Sequence, residues 1–435
     1  MMKKLQAHQL TTLFLFIIII GSYFIMVNWF PVAYIWGTYE DLCGEWGQTF
    51  FFATACIISI RVFLSKTNYR WFFAVLALAL FYTFMEEISW GQRIFNIESP
   101  DFFKQNNLQR ETNLHNMLVG PFSTDLKHFI EYLVASALAL YGAAYPLLLR
   151  LNWRPALFFN RIGVAAPPLY LAPFFLTGSL LELGLYNFNE AEIAELLISF
   201  ALSIMATHYL YAQRYNIDLS AYNRWPNKIA RKLSTTIFGI FIFVAMLASL
   251  TTYVTYNNAD KHARIESRLL NGYEKFAKRY ASYERWDIAT KLYQRVHEAE
   301  PQRTSILRKL GKAYRESGNE KQFLHYTNKA LNIALKKHEK NPDKISANLS
   351  LARTYRQLGD PDKSKQHGLH AQEIALARAK EKSDSAHAAY WLGKTYRNLE
   401  NYQAAVEQFK KAFDLKPSSK KYRKAYYKTR RSVTQ

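Results

Sequence analysis

Cysteine is almost absent: Cys43 and Cys56 are the two in a chain of 435 residues. Cys56 falls within an apolar run and Cys43 in the loop before it, and their thirteen-residue separation would span roughly 20 Å of helix, far beyond disulfide reach. A disulfide framework is excluded, and no Cys/His zinc spacing exists. The chain also lacks a phosphate-binding P-loop, a dinucleotide-binding glycine motif and a nucleophile-elbow serine. No inverted repeat is evident, which counts against a typical secondary transporter. Acidic residues are scarce in one half only. From Asn258 onward 39 Lys and Arg stand against 19 Asp and Glu, whereas residues 1–257 hold 17 and 15. Nearly all of the net +22 therefore lies in the tail.

What is abundant points the same way. Hydrophobic residues make up 50% of the chain and aromatics 16%, yet the mean hydropathy is slightly negative. Two unlike halves explain that pair of values. In the first half, apolar runs at about 10–30, 46–64, 71–86, 129–149, 162–183, 193–212 and 235–256 are near the ~20 residues that cross a bilayer core. The first is too long for a signal peptide and reads as an uncleaved anchor. Loop charge sets a direction. Thirteen of the 17 basic residues in this half fall in alternate loops, from Lys3 and Lys4 through Arg61, Arg150 and Arg214 to Lys232. The opposite loops hold Arg93, Lys104, Arg110 and Lys127, together with 14 of the 15 acids. The positive-inside rule then places the N-terminus in the cytoplasm and the C-terminal tail outside the cytoplasmic membrane. Pro167, Pro168 and Pro173 interrupt the fifth run, where a kinked helix is favoured over a broken one.

The tail repeats itself. One segment reads Leu392-Gly393-Lys394-Thr395-Tyr396, then Ala405, Phe409, Ala412 and Pro417. A second has Leu310, Gly311 and Tyr314 with Ala330, and a third Leu351, Ala352 and Tyr355 with Ala371. This pattern resembles the tetratricopeptide repeat across about residues 270–417. Small residues let the two helices of a hairpin approach, aromatics fill the groove between hairpins, and hairpins stack because none buries its apolar face alone. The steps are about 34 and then 41 residues, which predicts lengthened helices in the later units. Ser418–Arg431 reads as a basic capping helix with Tyr422, Tyr426 and Tyr427 turned to the stack. The resemblance implies a protein-binding scaffold with a concave groove. The tail's charge calls for an acidic partner: an acidic peptide, an anionic glycan or lipid headgroups. Nucleic acid would suit the charge, but the side of the membrane argues against it.

The polar residues of the first half gather on the acidic side. The third span ends Met85-Glu86-Glu87-Ile88-Ser89-Trp90-Gly91-Gln92-Arg93, and the next loop carries Glu111-Thr112-Asn113-Leu114-His115-Asn116. His128 and Glu131 open the fourth span, Glu182 lies near the end of the fifth, and Glu192 and Glu195 open the sixth. Acids at a membrane edge are costly to desolvate and default to function. Glu111 and His115 share a face if helical. Glu86, Glu87 and His115 are thus candidate ligands for zinc, manganese or iron, and with Glu111 candidate general acids and bases. Arg93, His128, Glu131, Glu182 and Glu195 would support them. Hydrated or arginine-paired interface acids are the plainer alternative. The two segments together resemble a signature of uncharacterised bacterial multi-pass membrane proteins, and a distant similarity to ceramidase-like hydrolases lacks their histidines on spans. The expectation is an all-α chain: a transmembrane bundle over 1–257 and a tetratricopeptide-like solenoid over 258–435. It would act as a membrane-held scaffold at the cell envelope, with an outer-leaflet enzyme of lipid or lipid-linked glycan as the alternative and a transporter or channel as the third.

Overall fold

The computed structural model describes residues 5–92, 97–106, 112–113, 123–219 and 225–434. All regular structure among them is helical. The chain divides into two compact units, Met1–Gly272 and Tyr273–Gln435.

In chain order the first unit holds α1 (Ala7–Trp29), α2 (Pro31–Thr38), α3 (Cys43–Phe63), α4 (Arg70–Glu87), α5 (Asp101–Asn106), α6 (Ser123–Ala139), α7 (Tyr145–Arg150), α8 (Arg154–Arg161), α9 (Ala172–Glu182), α10 (Glu190–Arg214) and α11 (Asn227–Asn257). α12 (Ala259–Ser282) carries the unit boundary within it. Pro31 restarts the helix after α1 because a first-turn proline has no hydrogen bond to lose. α6 and α7 join through a π-helical turn at Leu140–Ala144, which relieves the clash that Pro146 would make with the carbonyl four residues back. At Gly142 an added Cβ would lie 1.9 Å from the Phe175 ring, so the turn packs directly on α9.

α3 is central. It packs against α4, α10 and α11, while α9 lies between α6 and α10. Phe51 meets Phe200 at 4.7 Å between centroids, and the Ser203 hydroxyl donates to the Phe51 carbonyl at 2.8 Å. Each large aromatic buried this way contributes about 1.5–3 kcal/mol relative to water. The outward faces stay apolar: Phe14, Ile17, Phe24, Leu78, Phe129, Phe243 and Met246 are all exposed. Five helical stretches among the described residues are long and apolar enough to cross a membrane: Ala7–Trp29, Pro31–Phe63, Phe129–Arg150, Glu190–Arg214 and Asn227–Asn257. Arg70–Glu87, with three charged residues, and the shorter Leu169–Glu182 are not among them.

Over 162–183 the expected kinked helix is instead a broken one. Residues 164–168 have no regular structure, Gly163 sits at φ +93°, and regular helix begins only at Ala172. Pro167 and Pro168 cannot donate backbone hydrogen bonds. Three tyrosine hydroxyls satisfy the carbonyls freed here: Tyr145 donates to Val164 at 2.8 Å, Tyr141 to Ala165 at 2.9 Å and Tyr209 to Ala166 at 2.9 Å. Non-helical backbone inside a bundle persists only when it is satisfied in this manner.

The second unit continues with α13 (Trp286–Ala299), α14 (Thr304–Glu316), α15 (Glu320–Lys340), α16 (Ile345–Leu358), α17 (Pro361–Glu381), α18 (Ala386–Asn398), α19 (Tyr402–Leu415) and α20 (Lys420–Thr434). Asn319, Asp360, Ser385 and Asn401 each cap the following helix by accepting from the backbone N–H three residues on. Consecutive helices pair into hairpins, and the hairpins stack: α14 with α15, α16 with α17 and α18 with α19. α15 and α17 have 21 residues and α19 has 14, which accounts for the 41-residue steps. The small positions work by close approach. A Cβ on Gly311 would lie 2.6 Å from Thr327 Oγ1, and one on Gly393 2.8 Å from the Phe409 ring. Leu310, Leu351, Leu392, Ala405, Phe409 and Ala412 are buried. Tyr314 stacks on Tyr326 at 5.4 Å and Tyr355 on His367 at 5.6 Å, while Tyr396 packs on the cluster around Leu392. Pro417 lies exposed in the turn before α20.

Candidate functional site

Two places carry concentrated polar chemistry. The first is the acidic end of the bundle. α4 ends in Glu86-Glu87, and the chain then turns through Ser89, Trp90 and Gly91 at φ +48°, +54° and +85°. Two non-glycine residues in the left-handed region cost of order 1 kcal/mol each, so other contacts must hold the turn. Asn113, fully buried, donates to Ser89 Oγ at 3.2 Å; the Thr112 N–H donates to Gln92 Oε1 at 2.8 Å; and Gln92 Nε2 donates to Ser99 Oγ at 2.7 Å. The fold thus brings the Glu86–Gln92 run against Thr112-Asn113.

The adjacent acids part company. Glu86 is buried and accepts from Trp90 Nε1 at 2.7 Å. Glu87 faces Gln48 on α3, whose Nε2 lies 3.3 Å from Glu87 Oε2 and 2.7 Å from Glu195 Oε2 on α10. One amide therefore bridges two carboxylates. Glu45, Glu182 and Glu192 lie within electrostatic range of Glu195. Gln48 itself is buried, and its Oε1 meets no partner among the described residues. Glu131 is half-buried on α6. Arg93, Glu111 and His115 lie outside the described residues, as does the side chain of His128. Among the described residues no group of three or more His, Cys, Asp or Glu is placed to hold a metal ion.

The second place is in the solenoid. α14, α16 and α18 touch one another as well as their hairpin partners, so they line one face of the stack. That face carries Arg308, Arg353, Lys394 and Arg397. Arg308 reaches only hydroxyls, with its Nη1 3.1 Å from Ser350 Oγ and 3.4 Å from Thr354 Oγ1. Lys394 stands 4.1 Å over Trp391 and 5.5 Å over Tyr390, and Lys421 caps the same Tyr390 at 4.3 Å. Arg308, Arg353 and Lys394 form no ion pair among the described residues, in contrast to Arg356, which meets Glu400 at 3.2 Å. The protonation equilibria record the cost. Burial, then Arg353, pulls Arg308 down to about 10. Burial, then Arg397 and Arg356, lowers Arg353. Burial, then Arg353, Arg397 and Lys421, brings Lys394 down to about 8. Desolvated like charges without counter-ions favour an incoming anion.

The basic tail is plain in the sequence, but this column is not. Its signal is register at two positions only: Arg353 and Lys394, 41 residues apart, each follow the small residue of the repeat, Ala352 or Gly393, whereas Arg308 stands outside that register. Gln48 carries no comparable signal, being one glutamine in an apolar helix.

The repeats are of a known class: the tetratricopeptide repeat family matches residues 343–418. Similar solved structures include MamA of strain AMB-1, 20% identical over 38% of this chain and 82% of that one, with a TM-score of 0.17. MamA of strain MSR-1 is 20% identical over 38% and 87%, with a TM-score of 0.18. A human IFIT1 dimer with PPP-AAAA is 14% identical over 72% and 99%, with a TM-score of 0.17. No curated protein matches the chain.

Proposed function

We propose that the chain is a membrane-anchored tetratricopeptide scaffold whose repeats bind an acidic segment of a partner protein outside the cytoplasmic membrane, in an envelope-associated process. The unpaired cation column of Arg308, Arg353 and Lys394 carries this reading, because a fold that keeps like charges half-buried without counter-ions is stabilised when an anion arrives. The apolar outward faces of the first unit support the anchor. The loop charges support the outward placement of the repeats.

The test uses the full chain in detergent and a fluorescent octaglutamate peptide. Reversing two charges, Arg353→Glu with Lys394→Glu, should weaken binding by at least about tenfold, since charge-assisted hydrogen bonds contribute about 1.5–3 kcal/mol each. Equal affinity in the reversed variant, or preference for a single-stranded oligonucleotide over the peptide at matched salt, would refute an acidic protein partner. Membrane fractionation with a carbonate wash tests the anchor separately.

A further inference from the structure

The acidic end of the bundle is not its only polar site. At the opposite, basic end lies a cavity of about 460 Å³, of the size that holds small-molecule ligands. Its wall is built from the start of α1, the irregular Ala166–Pro168 segment, the α7–α8 connection, the C-terminal end of α10 and Trp225. His8 and His208 stand in it with ring centroids 6.1 Å apart, both against the Trp225 indole at 5.4 and 4.7 Å. Tyr170 hydrogen-bonds His208 Nδ1 at 3.1 Å. His8 is 1% exposed, and its Nδ1 meets no hydrogen-bond partner among the described residues.

Sorting the wall's groups into donors and acceptors shows what would fit. Three of the wall's acceptors are taken. Asn160 Oδ1 accepts from the Tyr69 hydroxyl at 3.0 Å, the Ala166 carbonyl from Tyr209 at 2.9 Å, and Gln6 Oε1 from the Trp225 N–H at 3.2 Å. The donors are left over. Arg150 forms no ion pair among the described residues, and the Nδ2 of Asn160 donates to no protein group there. Asp218, the carboxylate in the wall, has interactions of its own. A guanidinium, a carboxamide N–H pair and a buried imidazole lining one cavity suit an acceptor-only anion. Basic pockets between helices at this end of a bundle suit a phosphorylated headgroup.

We propose that this cavity binds a phosphate group, held by Arg150, Asn160 and His8. Phosphate chemistry has two sources, a membrane phospholipid or free phosphate, and the cavity's volume leaves room for a headgroup around the phosphorus. The proposal rests on the membrane reading, so the two are separated in the test. Full chain is purified in dodecyl maltoside and examined by native mass spectrometry with phosphatidylglycerol, with a galactosyl diacylglycerol that lacks phosphate, and with inorganic phosphate alone. Phosphatidylglycerol should be retained in preference to the galactolipid. Arg150→Gln should reduce retention at least tenfold, and Asn160→Asp, which keeps the shape and puts a carboxylate opposite the anion, should abolish it. Competition by inorganic phosphate at low millimolar concentration would assign the site to the free ion, and its absence to the lipid; both keep the phosphate. Equal retention of the galactolipid, or retention unchanged in both variants, overturns the proposal. A chain that stays in carbonate-washed membranes yet shows this result refutes the phosphate site alone.

Discussion

Raising the pH from 7 to 9 carries the Lys394 ammonium through its own titration. With a value near 8 it is about nine-tenths charged at pH 7 and about one-tenth charged at pH 9. An anion bound beside it offsets the neighbouring cations and raises the Lys394 value, so the bound state holds the proton that the free state releases. The sign follows from linkage: the contribution to binding is fully present below pH 8 and is lost as the pH rises toward the bound value. At most, the loss between pH 7 and 9 is about tenfold, or 1.4 kcal/mol; solvent screening of a half-exposed ammonium trims it to about three- to fivefold. Glutamate side chains of the peptide stay ionised throughout, so they add no slope. The assay is fluorescence anisotropy of the full chain with octaglutamate at pH 6, 7, 8 and 9 and constant ionic strength. Lys394→Met, which keeps the stem over Trp391, should bind more weakly at pH 7 and show a flat profile. A flat profile in the unaltered chain, or the same slope in the Met variant, refutes the argument that Lys394 faces the anion.

Gly393→Val should destabilise the last hairpin by about 1–3 kcal/mol, because its Cβ would lie 2.8 Å from the buried Phe409 ring; unchanged hydrogen-exchange protection in α18 and α19 would contradict that packing. Glu274 bridges Arg303 at 2.5 Å and Lys309, and although burial alone would raise it, these partners hold it below the ordinary carboxylate range. Its stabilisation is present above the unfolded value of about 4.3 and lost as pH falls through the folded one, so Glu274→Gln should flatten the acid dependence of exchange in the first repeats; an unaltered dependence would discount the bridge.

The solenoid was legible because its code is local. A small residue, an aromatic three positions on and a buried phenylalanine in the next helix are enough to place one hairpin, and Gly393, Tyr396 and Phe409 show that arrangement. Helix lengthening was legible too, because the 41-residue step exceeds the 34-residue one by two turns. The bundle was legible as apolar runs, and the break at Pro167-Pro168 was visible as a possibility. The tyrosines that stabilise it come from other helices, at positions 141, 145 and 209, and nothing near the prolines announces them. The acid rim shows the same limit. Its members stood out as charges beside apolar spans, but Gln48, which joins Glu87 to Glu195, lies 39 and 147 residues from them in sequence. Polar groups held by tertiary contacts leave no periodic trace. The cavity at the basic end follows the same rule: His8 and His208, 200 residues apart in sequence, come together only in the fold.

The 21-residue helices α15 and α17 outrun their 13- and 14-residue partners by about two turns, roughly 10 Å. Such an overhang separates reach from recognition. Arg308, Arg353 and Lys394 sit on the shorter helices, so the surplus length lies on partners that carry none of these three cations. Excising two turns from both helices would return each step to 34 residues while leaving Arg308, Arg353 and Lys394 on their own helices. The chain thus carries a length that can be varied without removing any of these cations.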